Sequence, residues 1–149
     1  VEQFIGRALV IHCPELKEGE AIPFSAVERV RPLADRAEFL LFHTGWGRYW
    51  GTERYFGGYP CIDQGIVDYL LQSGKKGVGL DTIGVDPIAD AYLSIHRRLF
   101  QDHDLVVMEN LANLDQIGDG LFTLFALPLR YQDADGSPIR AVAVLDGEE

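Results

Sequence analysis

Short runs of consecutive apolar residues alternate in this chain with segments that are apolar only at every third or fourth position. Uninterrupted runs are typical of strands buried on both faces, whereas the wider spacing is typical of helices with one buried face. The wider spacing predicts helices that begin at Ser25 and Asp63, both favoured capping residue types, and near Ala91. The runs predict strands over residues 8–11, 38–43, 77–81, 105–108, 122–127 and 139–145.

This order of elements predicts an α/β protein with a mixed sheet. Strands alternate with helices through most of the chain, which is typical of parallel pairing. Near the end, Asp135 and Gly136 form the strongest local turn signal, so residues 124–129 and 139–145 are predicted to pair as an antiparallel hairpin. The polar segment 15–23 is predicted to be a loop. No repeat or linker interrupts the pattern, and residues 1–149 are interpreted as a single domain.

Composition narrows the classes of partner. The net charge is −10 and the isoelectric point is near 4.7, which argues against nucleic acid and anionic membranes, because both bind basic surfaces. Cys13 and Cys61 form no close-spaced metal or redox motif. No apolar run approaches the length of a membrane span, and no signal peptide opens the sequence. We therefore expect a cytoplasmic protein, and the charge by itself does not identify its partner.

Two side chains stand out as candidate metal ligands. His96 lies in the third predicted helix, and Glu109 is the first charge after four apolar residues. A histidine and a glutamate brought together could bind a divalent metal or exchange protons. His12 and His43 both end predicted strands, where a structural role is the commoner outcome.

An aromatic segment follows the second predicted strand. Residues 44–51 contain three aromatic residues and three glycines, and loops at strand ends often contact ligands. The segment is either a pocket wall or an aromatic plug over the core, and the sequence leaves both readings open. On the first reading, His43, Trp46 and Tyr59 are the candidate pocket residues.

Several segments, taken together, resemble the cyclase family of metal-dependent hydrolases, which includes bacterial kynurenine formamidase. The resemblance implies a swivelling β/β/α fold, a homo-oligomer, and hydrolysis of a small-molecule substrate of the amide (formamide) or lactone type. It also implies that His96 and Glu109 help to hold a catalytic zinc or manganese ion. The segments that carry it, in the family's order, are 43–46, 78–87, His96 with 109–114, 127–129 and 135–143.

The sequence lacks one segment of the family, and this difference leaves two functional hypotheses. The family's signature segment, His-x-Gly-Thr-His-x-Asp-x-Pro, supplies most of its metal ligands and its catalytic histidine, and it occurs nowhere in this sequence. His96 and Glu109 are two ligands, whereas a catalytic zinc typically has three from protein. Asp81 and Asp86 match residues that structure loops. The chain is therefore interpreted as N-terminally truncated relative to the family, with no catalytic residue assigned.

Two functions remain open on this evidence. In the first, the chain is a metal-dependent hydrolase whose missing ligands come from a partner chain or from sequence upstream. In the second, it is a shortened, non-catalytic homologue that acts as an assembly or binding subunit, with the metal position empty.

Overall fold

A mixed sheet lies at the centre of the computed structural model, which describes residues 1–101 and 103–145. The strands of this described chain are β1 (Ile5–His12), β2 (Ala21–Ile22), β3 (Phe39–His43), β4 (Cys61–Ile62), β5 (Gly77–Leu80), β6 (Val106–Met108), β7 (Phe122–Phe125) and β8 (Val142–Val144). Six of them join in the order β6-β5-β3-β1-β7-β8. The first four in this order are mutually parallel, whereas β7 is antiparallel to β1 and to β8. The predicted α/β class with a mixed sheet is confirmed.

The parallel strands end together at one edge of the sheet. His12 at the end of β1 is in register with His43 at the end of β3, and Met108 at the end of β6 is in register with a residue of β5. Side chains that follow these strands therefore share that edge, where ligands bind in open α/β sheets. At the far side, β7 and β8 form the predicted hairpin, extended by a bridge between Pro128 and Ile139.

Apolar residues cover both faces of the parallel strands. Along β1, Leu9 and Ile11 belong to one buried cluster, and Ala8 and Val10 belong to another, as expected when successive side chains point to opposite faces. This two-sided burial explains the uninterrupted apolar runs. The first cluster is covered by the α-helices of the described chain, which are α1 (Ser25–Glu28), α2 (Arg31–Ala34), α3 (Gln64–Gln72) and α4 (Ser94–Phe100).

The helix predicted to start at Ser25 is two short helices, and the predicted cap is wrong. Ser25 is the first residue of α1, and the capping position belongs to Phe24 without a side-chain hydrogen bond. The break falls at Val30, whose φ of −118° and ψ of 21° leave the helical region. Pro32 lies in the first turn of α2, and its ring and missing N–H disfavour a helix that continues through it.

The cap predicted for α3 is confirmed. The Oδ1 atom of Asp63 accepts a hydrogen bond of 2.8 Å from the backbone N–H of Ile66. Its Oδ2 atom accepts one of 2.8 Å from the N–H of Phe24, so the same aspartate joins α3 to the segment before α1. Beside it, β4 forms a short parallel pair with β2, and β2 lies within the segment 15–23 that was predicted to be a loop. No helix of the described ranges is long and apolar enough to cross a membrane.

Candidate active site

Helix α4 and strand β6 bring His96 and Glu109 together. The Nε2 atom of His96 lies 3.1 Å from the Oε1 atom of Glu109, and its Nδ1 atom lies 2.5 Å from the Oδ2 atom of Asp86. A carboxylate therefore faces each ring nitrogen. The hydrogen bond to Glu109, reinforced by the one to Asp86, raises the pKa of His96 above its ordinary value, although burial of the ring opposes this shift.

Asp86 fixes both the start of α4 and the orientation of the imidazole. Its Oδ1 atom accepts the N–H of Ile95 at 2.5 Å, and its Oδ2 atom accepts the N–H of His96 at 3.1 Å. The residue before the helix, Leu93, is left-handed with a φ of 52° and provides no side-chain cap. The Asp86 side chain, only 3% exposed, takes the place of that cap and accepts the Nδ1–H. In the protonated ring the Nε2–H donates to Glu109, and in the neutral ring the Nε2 lone pair faces that carboxylate.

Two backbone hydrogen bonds, from Leu111 to the carbonyl of Leu80 in β5 and from Asn110 to that of Thr82, hold the turn that contains Glu109 at the same edge. The N–H of Asn110 donates to the carbonyl of Thr82 at 2.8 Å, and Asn110 has a left-handed φ of 58°. The hydroxyl of the buried Tyr55 donates to the Oδ1 atom of Asn110 at 2.6 Å. The turn after β6 is thereby locked, and the Glu109 carboxylate, 33% exposed, faces the opening beside His96.

A cleft of about 360 Å³ opens over this pair. Tyr59 lines the cleft, whereas His43 and Trp46 are not among its lining residues. Burial, together with the charges of Cys61, Glu109 and Asp86, raises the pKa of the Tyr59 phenol to about 12, so that it is protonated at neutral pH. The lining residues are Tyr59, Ile83, Gly84, Asp86, Pro87, Ile88, Asp90, Leu93, His96 and Glu109.

The aromatic segment packs behind this cleft. Trp46 is 2% exposed and shares a buried cluster with Tyr55, Tyr59 and Cys61. Its indole Nε1–H donates to the backbone carbonyl of Tyr55 at 3.1 Å. The structure thus places Trp46 inside the cluster and brings Tyr59 to the cleft.

The other two strand-end histidines form a separate pair. The Nδ1 atoms of His12 and His43 are 3.0 Å apart, and the Nε2 atom of His12 lies 3.1 Å from the carbonyl of Ile117. The carbonyl of Ile117 accepts the Nε2–H of His12, and one hydrogen carried by either Nδ1 atom joins the two rings. The carboxylate of Asp119 lies farther from the Nε2 atom of His12, at 3.9 Å.

Asp81 supports the histidine pair from the end of β5. Its carboxylate accepts the N–H and the hydroxyl of Thr44 at 3.0 and 2.6 Å, and the N–H of Gly45 at 2.7 Å. These bonds fix the chain directly after His43. Asp81 and Asp86 are both loop-structuring residues, as their matching positions in the family indicated. The contact of Asp86 with His96 was missed, although an acid shortly before a helix start is a recognisable signal.

The described residues fit part of a metal site. His96 Nε2 and Glu109 Oε1 supply an imidazole and a carboxylate ligand, and Asp86 supplies the orienting carboxylate that such histidines normally have. Within residues 1–101 and 103–145, no group of three or more His, Cys, Asp or Glu side chains is placed to hold a metal ion. A catalytic site of the usual kind therefore needs a further ligand.

Comparison with known proteins first establishes the fold. An isatin hydrolase in complex with the product analogue thioisatinate superposes with a TM-score of 0.84 at 22% identity, over 97% of this chain and 61% of that one. A structure described as a potential metal-dependent hydrolase with cyclase activity gives a TM-score of 0.69 at 18% identity, over 95% of this chain and 66% of that one. The architecture is that of these hydrolases.

Sequence comparison then establishes the family. The family model described as "Putative cyclase" matches residues 1–87, and the chain belongs to this family. The kynurenine formamidase of Bacillus cereus is 34% identical in an alignment of 147 residues that covers 95% of this chain and 64% of that protein. The chain thus spans about 64% of the length of this relative.

Proposed function

We propose that this chain contributes His96 and Glu109 to the divalent-metal site of an amide hydrolase that acts on formyl amides. The observation that carries the proposal is the 3.1 Å approach of His96 Nε2 to Glu109 Oε1 in the cleft, with Asp86 on the other ring nitrogen. A lone pair and a carboxylate at this distance require a cation between them, either a proton or a metal ion. The family and the formamidase relative support amide hydrolysis as the reaction.

The residues of the chain have distinct roles in this proposal. A divalent ion bound here polarises a carbonyl group and makes water more acidic. Asp86 keeps the imidazole of His96 in one orientation, and Glu109 adds negative charge that favours a cation. Imidazole and carboxylate ligands suit both zinc and manganese. The apolar part of the cleft wall excludes water and packs against the substrate's organic group; it consists of Ile83, Pro87, Ile88 and Leu93.

The remaining ligands come, in this proposal, from a second subunit of a homo-oligomer or from sequence beyond these 149 residues. We expect the protein to act in the cytoplasm, since its two cysteines are free and buried.

Metal titration with matched variants tests the proposal. Isothermal calorimetry with Zn²⁺ and Mn²⁺ should show binding to the wild-type chain that weakens at least about 100-fold in His96→Ala and Glu109→Gln, because each removes a ligand. His103→Ala, which changes an exposed histidine outside the cleft, should bind like the wild type. Turnover of N-formylkynurenine by the metal-loaded protein should follow the same order.

A second candidate function is that of a non-catalytic assembly or binding subunit. The pair of ligands among the described residues, without a third, favours it. The same titration separates the two candidates: a folded oligomer that neither binds metal nor hydrolyses N-formylkynurenine would support the second and exclude the first for this chain.

A further inference from the structure

The hydroxyl group of Tyr59 differs from those of the other buried tyrosines. The hydroxyls of Tyr55 and Tyr69 donate to Asn110 and Asp35 at 2.6 and 2.7 Å. Tyr59 is 8% exposed, yet its hydroxyl has no hydrogen-bond partner among residues 1–101 and 103–145. Within these ranges no fully buried side-chain nitrogen or oxygen lacks a partner. The ring of Tyr59 is therefore buried while its hydroxyl opens into the cleft.

Gly84 shows where this hydroxyl points. A Cβ atom added at Gly84 would lie 3.2 Å from the Tyr59 oxygen and 3.4 Å from the Oε1 atom of Glu109. All three residues line the cleft. No side chain fills the cleft above Gly84, so the phenolic hydroxyl of Tyr59 and the carboxylate that faces His96 border the same open part of the cleft.

We propose that Tyr59 is a substrate-binding residue whose O–H donates to the carbonyl oxygen of a formyl amide seated above Gly84. This inference rests on the proposed function and adds the contact that orients the substrate. A carbonyl oxygen accepts hydrogen bonds, and the donor that meets it here has no competing partner in the described chain. The bond strengthens as negative charge develops on that oxygen during attack at the carbonyl carbon. In this proposal, the role of Tyr59 differs from that of His96 and Glu109, because Tyr59 binds the substrate and the other two bind the metal ion.

Binding to the metal-free protein tests this contact without turnover. Calorimetry with N-formylkynurenine and with kynurenine, which lacks the formyl carbonyl, compares the wild type with Tyr59→Phe. We expect Tyr59→Phe to weaken the binding of N-formylkynurenine by about 5- to 10-fold, the usual effect of one hydrogen bond. The binding of kynurenine should weaken by less than about twofold. Tyr69→Phe, the same chemical change outside the cleft, should affect neither ligand.

Gly84→Ala provides a second test that keeps the phenol. The added methyl group fills the space between Tyr59 and Glu109. This variant should therefore weaken the binding of N-formylkynurenine at least as strongly as Tyr59→Phe does. Equal loss of both ligands in Tyr59→Phe, no loss of either, or failure of the wild type to bind N-formylkynurenine overturns the assignment.

Metal binding and turnover separate this inference from the proposed function. Tyr59→Phe should bind Zn²⁺ within about twofold of the wild type but lower kcat/KM at least about 10-fold. Turnover by the wild type that Tyr59→Phe leaves intact refutes the role of Tyr59 alone. If Tyr59→Phe selectively loses binding of N-formylkynurenine but the wild type shows no turnover, the proposed reaction is refuted. Tyr59 is then still a binding residue.

Discussion

His96 and the pair formed by His12 and His43 make two groups at the same edge of the sheet, and the groups differ in what faces the rings. Around His96, a carboxylate meets each ring nitrogen. Around His12, Nδ1 meets His43, and Nε2 meets a backbone carbonyl at 3.1 Å, with the exposed carboxylate of Asp119 farther away at 3.9 Å. The first arrangement brings two carboxylates within hydrogen-bond distance of one ring and favours a cation, whereas the second joins two rings to each other and to a carbonyl. The number and distance of the carboxylates around a histidine therefore distinguish the two arrangements.

The largest expected effects on stability and metal binding come from the two aspartates that support these groups, Asp86 and Asp81. Asp86→Ala and Asp81→Ala should each lower the free energy of unfolding by about 2–4 kcal/mol, because each leaves several buried donors without an acceptor. Only Asp86→Ala should also weaken Zn²⁺ binding, by about 10- to 100-fold, since Asp86 orients His96. Urea unfolding and metal calorimetry on the two variants provide the comparison, and equal metal affinities would contradict it.

Removal of His12 should affect stability without affecting metal binding. His12→Ala deletes the hydrogen bonds to Ile117 and His43 at a partly exposed site, so we expect a loss of about 1 kcal/mol in the free energy of unfolding. Zn²⁺ affinity should stay within about twofold of the wild type. A loss of affinity as large as that of His96→Ala would show that the two groups act as one site.

Tyr55 contacts the turn that holds Glu109, so loss of its hydroxyl should affect both stability and metal binding. Tyr55→Phe removes the hydroxyl that bonds to Asn110 beside Glu109, but it keeps the backbone carbonyl that accepts from Trp46. We expect about 1 kcal/mol less stability and a several-fold lower Zn²⁺ affinity, because the turn that holds Glu109 loosens. Thermal unfolding and calorimetry measure both; unchanged metal affinity would mean that Asn110 does not need this bond.

The smallest expected effect on stability is that of Glu38, at the edge of the sheet opposite the candidate site. Its substitution tests the pH dependence of stability. Glu38 precedes β3, and its ion pair with Lys76 at 2.7 Å, more than the N–H of Arg7, lowers the pKa of the Glu38 carboxyl below its ordinary 4.5. Its contribution is present above pH 4.5 and is lost as the pH falls through the lowered folded value. At neutral pH, Glu38→Gln should cost about a few tenths of a kcal/mol, since the pair is partly exposed.

Urea unfolding at about pH 7 and about pH 3 checks this sign. At the higher pH the wild type should be more stable than Glu38→Gln. At the lower pH the free energies of unfolding of the two proteins should converge. A difference that grows as the pH falls would contradict the assignment, and metal affinity near neutral pH should not change.

Patterns along the chain were sufficient to predict most of the sheet. Apolar runs mark strands because these strands are buried on both faces, and the turn at Asp135 and Gly136 marks the hairpin because few other residues suit it. The prediction failed where tertiary contacts or proline decided the outcome. Phe24 bonds to the distant Asp63, and Pro32 divides a segment whose spacing reads as one helix.

For the candidate site, the sequence by itself determined the residue types and their order: a helical histidine, an acid after a buried strand, and a resemblance that joins them. Only the tertiary structure decided the partners. It placed Asp86 on His96, directed His43 away from the cleft toward His12, buried Trp46, and left the hydroxyl of Tyr59 open beside Gly84. The physical reason is that hydrogen bonds and charge interactions act over a few ångströms between residues far apart in the chain, and parallel strand pairing brings these residues together.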